Sequence, residues 1–432
     1  MRISAIYGGL YNYSNPYQTG LNNYRYNERS PMFTGIPNAG PVKKLFKYNL
    51  PNMYRDIVTI DPRHANKLVR SGAFNKPSIL SMAVLKTFED NICDVEKRVY
   101  RVLLAQSKAN PKKDIQEILD SLAPKYEKRL RKKQEPIFED LDEMSKSLSP
   151  EYKELYDTLM CQTRKKLANE PIVLPFSKED FMYKLHKIKG DIGNIKNPKA
   201  VKVVDKLLLE AEKIPEINSA ENEPIQHSQM EFLRKILGTS VLQNYVPLKE
   251  LFSSVSARID KKEMIVPFSR KTFIYDLKKI LETYPDGELK ERMMEKAKSL
   301  PTSRNSIAAY IVKFHKEPSD KIAFRLLSPT YASIEHIEPR ANGGPNELEN
   351  FGIATVRDNS DRGNIDFTEQ IKKMRGTKRN SQKLINRLIE LYKNGIFDKC
   401  GVPFSYITGL IKKIDEQSKG QIKLNTRKLN NK

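Results

Sequence analysis

From residue 79 onward the apolar residues of this chain fall mostly at steps of three and four, and one stretch, 332 to 363, breaks that rhythm. Ile79, Leu80, Met82 and Leu85 open a stripe that continues through Phe88, Ile92, Val95, Val99, Val102 and Leu103, and Ile115, Ile118, Leu119 and Leu122 resume it. This spacing places apolar side chains on one face of a helix. The pattern returns over 367–374, 384–391 and 404–414, so a mainly α chain is expected. At 432 residues it is long enough for two or three domains.

Five regions follow from texture. Residues 1–50, rich in Tyr, Asn and Gly and without amphipathic period, read as a disordered tail. Residues 51–165 form a basic helical region containing the run Lys128-Arg129-Leu130-Arg131-Lys132-Lys133. Residues 166–315 are helical and carry an internal repeat. Pro175-Phe176-Ser177 leads to Phe181, Tyr183, Leu185, Lys187 and Ile188, and Pro267-Phe268-Ser269 leads at the same offsets to Phe273, Tyr275, Leu277, Lys279 and Ile280. In each copy the Ser is placed to cap a helix that the preceding Phe staples. Pro301-Thr302-Ser303 with Ile307 and Ile311 looks like a partial third copy. The module that breaks the helical texture falls within 316–380, and 381–432 holds C-terminal helices and a basic tail.

Charge narrows the partners. Lys and Arg total 76 against 53 acids, a net +23, with a pI near 9.6. Such a surface attracts polyanions, nucleic acid before anionic membrane, although a Lys-rich solvated helix surface has the same composition. Mean hydropathy is -0.60, no apolar run is long enough to span a bilayer, and the first residues lack the apolar stretch of a secretory signal. A cytoplasmic protein is expected. Three scattered cysteines, Cys93, Cys161 and Cys400, exclude a disulfide framework and a local zinc ribbon.

The chemistry is concentrated in one segment. Ser333 to Ile337 suits a short strand, Asn342-Gly343-Gly344-Pro345 must turn, a loop runs to Asn350, and Phe351 to Val356 suits a second strand. Asp358 is placed to cap a short helix beginning near Asn359. Glu335 and His336, adjacent on a strand, point in opposite directions, so a distorted strand end is needed to bring both near the helix. Phosphodiester hydrolysis requires a base for water, a cation against the charge of the phosphorane, and oxygen ligands for that cation. His supplies the base near neutral pH, and carboxylate and carboxamide oxygens suit a hard ion.

An acid-His pair, Pro339 three residues past the His, Gly343-Gly344, Asn350, then Asn359-x-x-Arg362-Gly363-Asn364 resemble the HNH, or ββα-metal, endonuclease family, in a His-Asn-Asn variant. The match covers about a tenth of the chain. It implies a mainly α fold with a small ββα-metal module near the C-terminus. By the resemblance, His336 is the general base, Glu335 the metal-binding acid in a position more often Asp, and Asn359 the last metal ligand. Asn350 ties the loop to the strands and so serves the catalytic His336. Arg340, Arg357 and Arg362 are candidate nucleic-acid contacts, Arg362 being equally suited to a salt bridge with Asp361 or Asp358. One divalent ion, Mg²⁺ with Mn²⁺ as the other choice, is implied, with DNA before RNA as substrate. Many relatives brace the motif with zinc held by C-x-x-C pairs. None exists here, so helices over 305–315 and 367–415 are expected to do so. The competing expectation is a non-catalytic nucleic-acid-binding or scaffold protein with a degenerate HNH fold. An effector delivered into other cells would share the chemistry.

Overall fold

The computed structural model describes residues 39–75, 78–193, 197–216 and 219–427. It is mainly helical with two small antiparallel two-stranded sheets. Among the described residues no helix is long and apolar enough to cross a membrane. The described residues divide into two compact units, one within 131–301 and one joining those of 39–130 to those of 302–427. The boundaries therefore lie within the Ile115–Ser145 helix and at Pro301, away from residues 165 and 315.

The Arg131–Pro301 unit is organised by the repeat. Strand β1 (Pro171–Val173) pairs antiparallel with β2 (Glu263–Ile265), Ile172 opposite Met264. Each strand leads through Pro-Phe-Ser into a helix, Lys178–Gly193 in one copy and Arg270–Leu281 in the other. Ser177 Oγ accepts from Asp180 N at 3.2 Å and Ser269 Oγ from Thr272 N at 3.3 Å, the caps expected from the sequence. The corresponding apolar triplets enter different cores. Phe181, Leu185 and Ile188 pack with Val204, Leu233 and Phe252, whereas Phe273, Leu277 and Ile280 pack with Phe138, Tyr156 and Met293. From Thr302 onward the partial third copy belongs to the other unit, and its helix, Ile307–Phe314, is capped by Ser306 and not Ser303.

In that other unit, β3 (Ala332–His336) and β4 (Phe351–Thr355) form an antiparallel ribbon, with Ile334 opposite Ile353 and His336 opposite Phe351. The helix Val356–Arg362 follows directly. Thr355 caps it, not Asp358: Asp358 N donates to Thr355 Oγ1 at 3.1 Å and Thr355 Oγ1 donates back to the Asp358 carboxylate at 2.8 Å. Ile334, Ile353 and Phe351 join a core with Leu384, Leu388, Tyr406 and Leu410 from the helices Thr377–Lys393 and Ser405–Gln417. Those helices brace the ribbon as anticipated. Ile307–Phe314 packs instead in a neighbouring core with Tyr331 and Ile60.

The tail assigned to 1–50 lies outside the described residues as far as 38, but from Ala39 the chain is structured: Gly40–Lys44 is helical, and Val42, Leu45, Phe46 and Leu50 are buried in the ribbon's core. The next residues line the ribbon, with Met53 N donating to Ile353 O at 3.0 Å and Ala332 N to Ile60 O at 2.9 Å.

A candidate active site on the second ribbon

Glu335 and His336 leave β3 on opposite faces. The ladder stays regular through His336, and Ile337 N still donates to Asn350 O at 3.0 Å, so the distorted strand end anticipated from the sequence is not present. Glu335 faces the Val356–Arg362 helix. Asn359 lies on that face too, its Nδ2 donating to Ser333 Oγ at 2.9 Å and Ile334 O at 2.7 Å. His336 faces the loop, its ring 5.2 Å from that of Phe351 and its Nε2 2.9 Å from Asn346 Oδ1.

That loop is pinned at one residue. Asn350, fully buried, accepts from Glu338 N at 2.8 Å and donates to Glu338 O at 3.0 Å and Pro345 O at 2.9 Å. Three net hydrogen bonds contribute about 1 kcal/mol each, and losing them inside the protein costs more than that. Gly343 adopts φ 88°, open to Gly more than to other residues. At Gly344 a Cβ would strike the backbone of Glu338 and Pro339. The tight turn after His336 thus needs both glycines, for different reasons.

Electrostatics separates the two chemical groups. Burial lowers the His336 pKa, opposed by its hydrogen bond to Asn346 and reinforced by the charges of Arg340 and Arg362. The ring is therefore neutral at neutral pH. With Nε2–H donating to Asn346 Oδ1, Nδ1 keeps its lone pair. Burial pushes the Glu335 carboxyl up, and the Arg362 guanidinium beside it pulls it back. Arg362 ion-pairs with Glu335 Oε1, to which the Tyr54 hydroxyl also donates at 3.1 Å. Glu335 Oε2, equally buried, has no hydrogen-bond partner among the described residues.

No protein-family model, curated protein or solved structure matches this chain. The site stands on its own geometry.

Two candidate phosphate contacts are corrected by that geometry. Arg362 is 2% exposed and is spent inside, on Glu335 and on the carbonyls of His336 at 2.6 Å, Ile337 at 2.7 Å and Ile365 at 2.9 Å. It pairs with neither Asp361 nor Asp358. Arg357 points into the unit and pairs with the buried Glu96. Neither guanidinium is open to a ligand. Arg340 is exposed, with no ion pair among the described residues, close enough to His336 to act on its charge.

Sequence reasoning missed the wall that closes the site. Asn52, fully buried, donates to Asp358 at 2.5 Å, and Arg55 Nε lies 2.6 Å from the same carboxylate. Tyr54, 1% exposed, reaches Glu335. Asn346 was also missed, although a carboxamide within the His336 loop was a local signal. For Asn52 and Tyr54 the signal was weaker: two polar-tipped residues between Pro51 and the β-branched run Val58-Thr59-Ile60.

Among the described residues no three His, Cys, Asp or Glu side chains gather into a metal-holding group. The donor set implied by the resemblance is smaller, one carboxylate and one carboxamide. The residues present fit it at one atom in particular: Arg362 and Tyr54 hold Glu335 Oε1 and leave Oε2 unpartnered. The Asn359 carboxamide oxygen is the second candidate, since its Nδ2 makes both of that side chain's hydrogen bonds.

Proposed function

We propose that this chain is a metal-dependent endonuclease of the HNH type that hydrolyses phosphodiester bonds, in DNA before RNA. The observation that carries this reading is the Asn350 pin. A fully buried carboxamide spends three hydrogen bonds on the loop that leaves a neutral, half-buried His336 at the end of β3. A structural turn does not require a histidine held in one tautomer.

His336 Nδ1 takes a proton from water, Asn346 fixes the ring, and Asn350 holds the loop against displacement. Because Glu335 and His336 diverge, the scissile phosphate must lie across the end of β3 to be reached from both faces. Glu335 Oε2 and the Asn359 carboxamide oxygen would hold a divalent ion such as Mg²⁺ or Mn²⁺ with water completing its shell. Bound there, the ion supplies positive charge to the phosphorane and the leaving oxygen. Arg362 and Tyr54 orient the carboxylate.

The other reading, a nucleic-acid-binding scaffold with a degenerate HNH fold, is favoured by one observation: Glu335 is 2% exposed beneath Arg362 and Tyr54. The two separate in one assay. The purified full chain is incubated with supercoiled plasmid and Mg²⁺ or Mn²⁺, beside His336→Ala and an EDTA control. Nicking by the wild type alone, stopped by EDTA, is expected. Equal nicking by both proteins, or none across metals and across DNA and RNA substrates, sinks the enzyme reading.

A further inference from the structure

The chain's excess of positive charge lies in one unit. Arg131–Pro301 nearly balances its Lys and Arg with Asp and Glu, so the surplus falls on the unit that carries the ribbon. The duplicated helices are therefore not the basic support that the overall composition suggests. Within the ribbon's unit many cations are already spent: Arg357 on Glu96, Arg362 on Glu335, Arg304 on Asp361, and Arg379 and Lys383 on Asp56.

Three that are not spent lie close together. Lys373, Arg375 and Lys378 are exposed and make no hydrogen bond or ion pair among the described residues. They span the end of the Phe367–Lys373 helix, the Met374–Gly376 connection and the first turn of Thr377–Lys393. That first turn holds no acid of its own; Asp56 answers Arg379, while Lys378 sits unpaired against the positive end of the helix dipole, an arrangement that works against the fold unless an anion answers it. The nearest acid on the preceding helix, Glu369, is already paired with Lys372 at 2.7 Å.

Their place relative to the site is fixed by three contacts. Asn380 Nδ2 donates to Tyr54 O at 3.0 Å, and the Tyr54 hydroxyl donates to Glu335 at 3.1 Å. At the other end of the Phe367–Lys373 helix, Asn342 Nδ2 donates to Asp366 Oδ1 at 2.5 Å, joining it to the loop that carries Arg340. A seven-residue helix is about 10 Å long at ~1.5 Å per residue. A DNA strand carries a charge about every 3.4 Å along the axis, so the distance corresponds to roughly three phosphates.

We infer that Lys373, Arg375 and Lys378 form a strip that receives the phosphate backbone of duplex nucleic acid beside the ribbon. This rests on the nuclease reading for its purpose, but not for its test. The strip recognises a duplex and not a single strand, because residues 373–383 include no aromatic side chain on which unpaired bases stack. It reads no sequence.

The test measures binding by the full chain. A fluorescent DNA duplex, an RNA duplex and a DNA single strand are titrated by anisotropy at several salt concentrations. Wild type and the triple variant K373A/R375A/K378A are compared, both in EDTA so that nothing is cut. Wild type is expected to bind either duplex more tightly than the single strand. The triple variant, with a melting midpoint no lower than that of wild type, is expected to bind at least ~10-fold more weakly at low salt. Its slope of log K against log salt is expected to be shallower by about 2–3, because each phosphate contact contributes about 0.9. Wild-type affinity and slope in the triple variant overturn the strip, as does tighter binding of the single strand than of either duplex. Duplex binding through the strip without any nicking leaves the strip standing and sinks the enzyme. His336-dependent nicking with a fully active triple variant does the reverse.

Discussion

Arg362 and Glu335 neutralise each other inside the protein, the guanidinium set against one carboxylate oxygen with side-chain exposures of 1% and 2%. Removing one partner strands a charge away from water, whereas removing both does not. Arg362→Met is expected to destabilise the ribbon by about 3–5 kcal/mol, and the double variant Glu335→Gln/Arg362→Met by clearly less. Hydrogen exchange of the β3 and β4 amides measures the difference, and equal protection in both variants contradicts the pairing.

His336 is half-buried and contributes one side-chain hydrogen bond to the fold. His336→Ala is therefore expected to leave amide exchange in the ribbon near wild type while nicking falls by about 10²–10⁴, the range for loss of a general base. Asn346→Ala is expected to cost less, on the order of tenfold, since the ring remains but its tautomer is no longer held. Plasmid-nicking rates at matched protein concentration check both.

The adjacent glycines separate by mechanism. At Gly344 a methyl would meet backbone carbonyls that cannot rotate away, so Gly344→Ala is expected to shift the loop and abolish most nicking. At Gly343 nothing lies within 4 Å, and Gly343→Ala is expected to cost only the strain of its positive φ, about 1–2 kcal/mol. Similar rates for the two variants would show that the loop does not position the chemistry.

A pH effect belongs to the other unit. Asp276 is fully buried on the Arg270–Leu281 helix with both carboxylate oxygens lacking hydrogen bonds. Burial pushes its pKa from 3.8 to about 8, partly opposed by Lys166 and Lys279. Over that interval the unfolded chain has released a proton that the folded unit keeps. Stability is thus fullest near pH 4 and declines toward pH 8. Exchange of the Arg270–Leu281 amides is expected to report a loss on the order of a few kcal/mol across this range, and Asp276→Asn to flatten it.

The sequence was informative where the cause was local. Apolar spacing marked the helices, Ser177 and Ser269 announced their caps, and the strand, loop, strand and helix order around His336 followed from turn residues and β-type side chains. Where the cause was distant, it failed. Arg357 looks like a surface cation until Glu96, 261 residues earlier, is placed against it. Arg362 looks like a phosphate ligand until Tyr54 and Glu335 close around it. The first fifty residues were judged by their abundant Tyr and Asn, which hid Val42, Leu45, Phe46 and Leu50 at helical spacing among them. Neutral polar residues such as Asn52 carry no periodic signature, and only the fold shows what they touch.

The contact between Asn52 and Asp358 joins residues 306 positions apart. At about 5–20 residues per second of synthesis, the wall emerges roughly 15–60 s before the ribbon it completes. A nascent chain therefore cannot close this corner of the fold until the Val356–Arg362 helix has left the ribosome. Distance along the sequence acts as a timer.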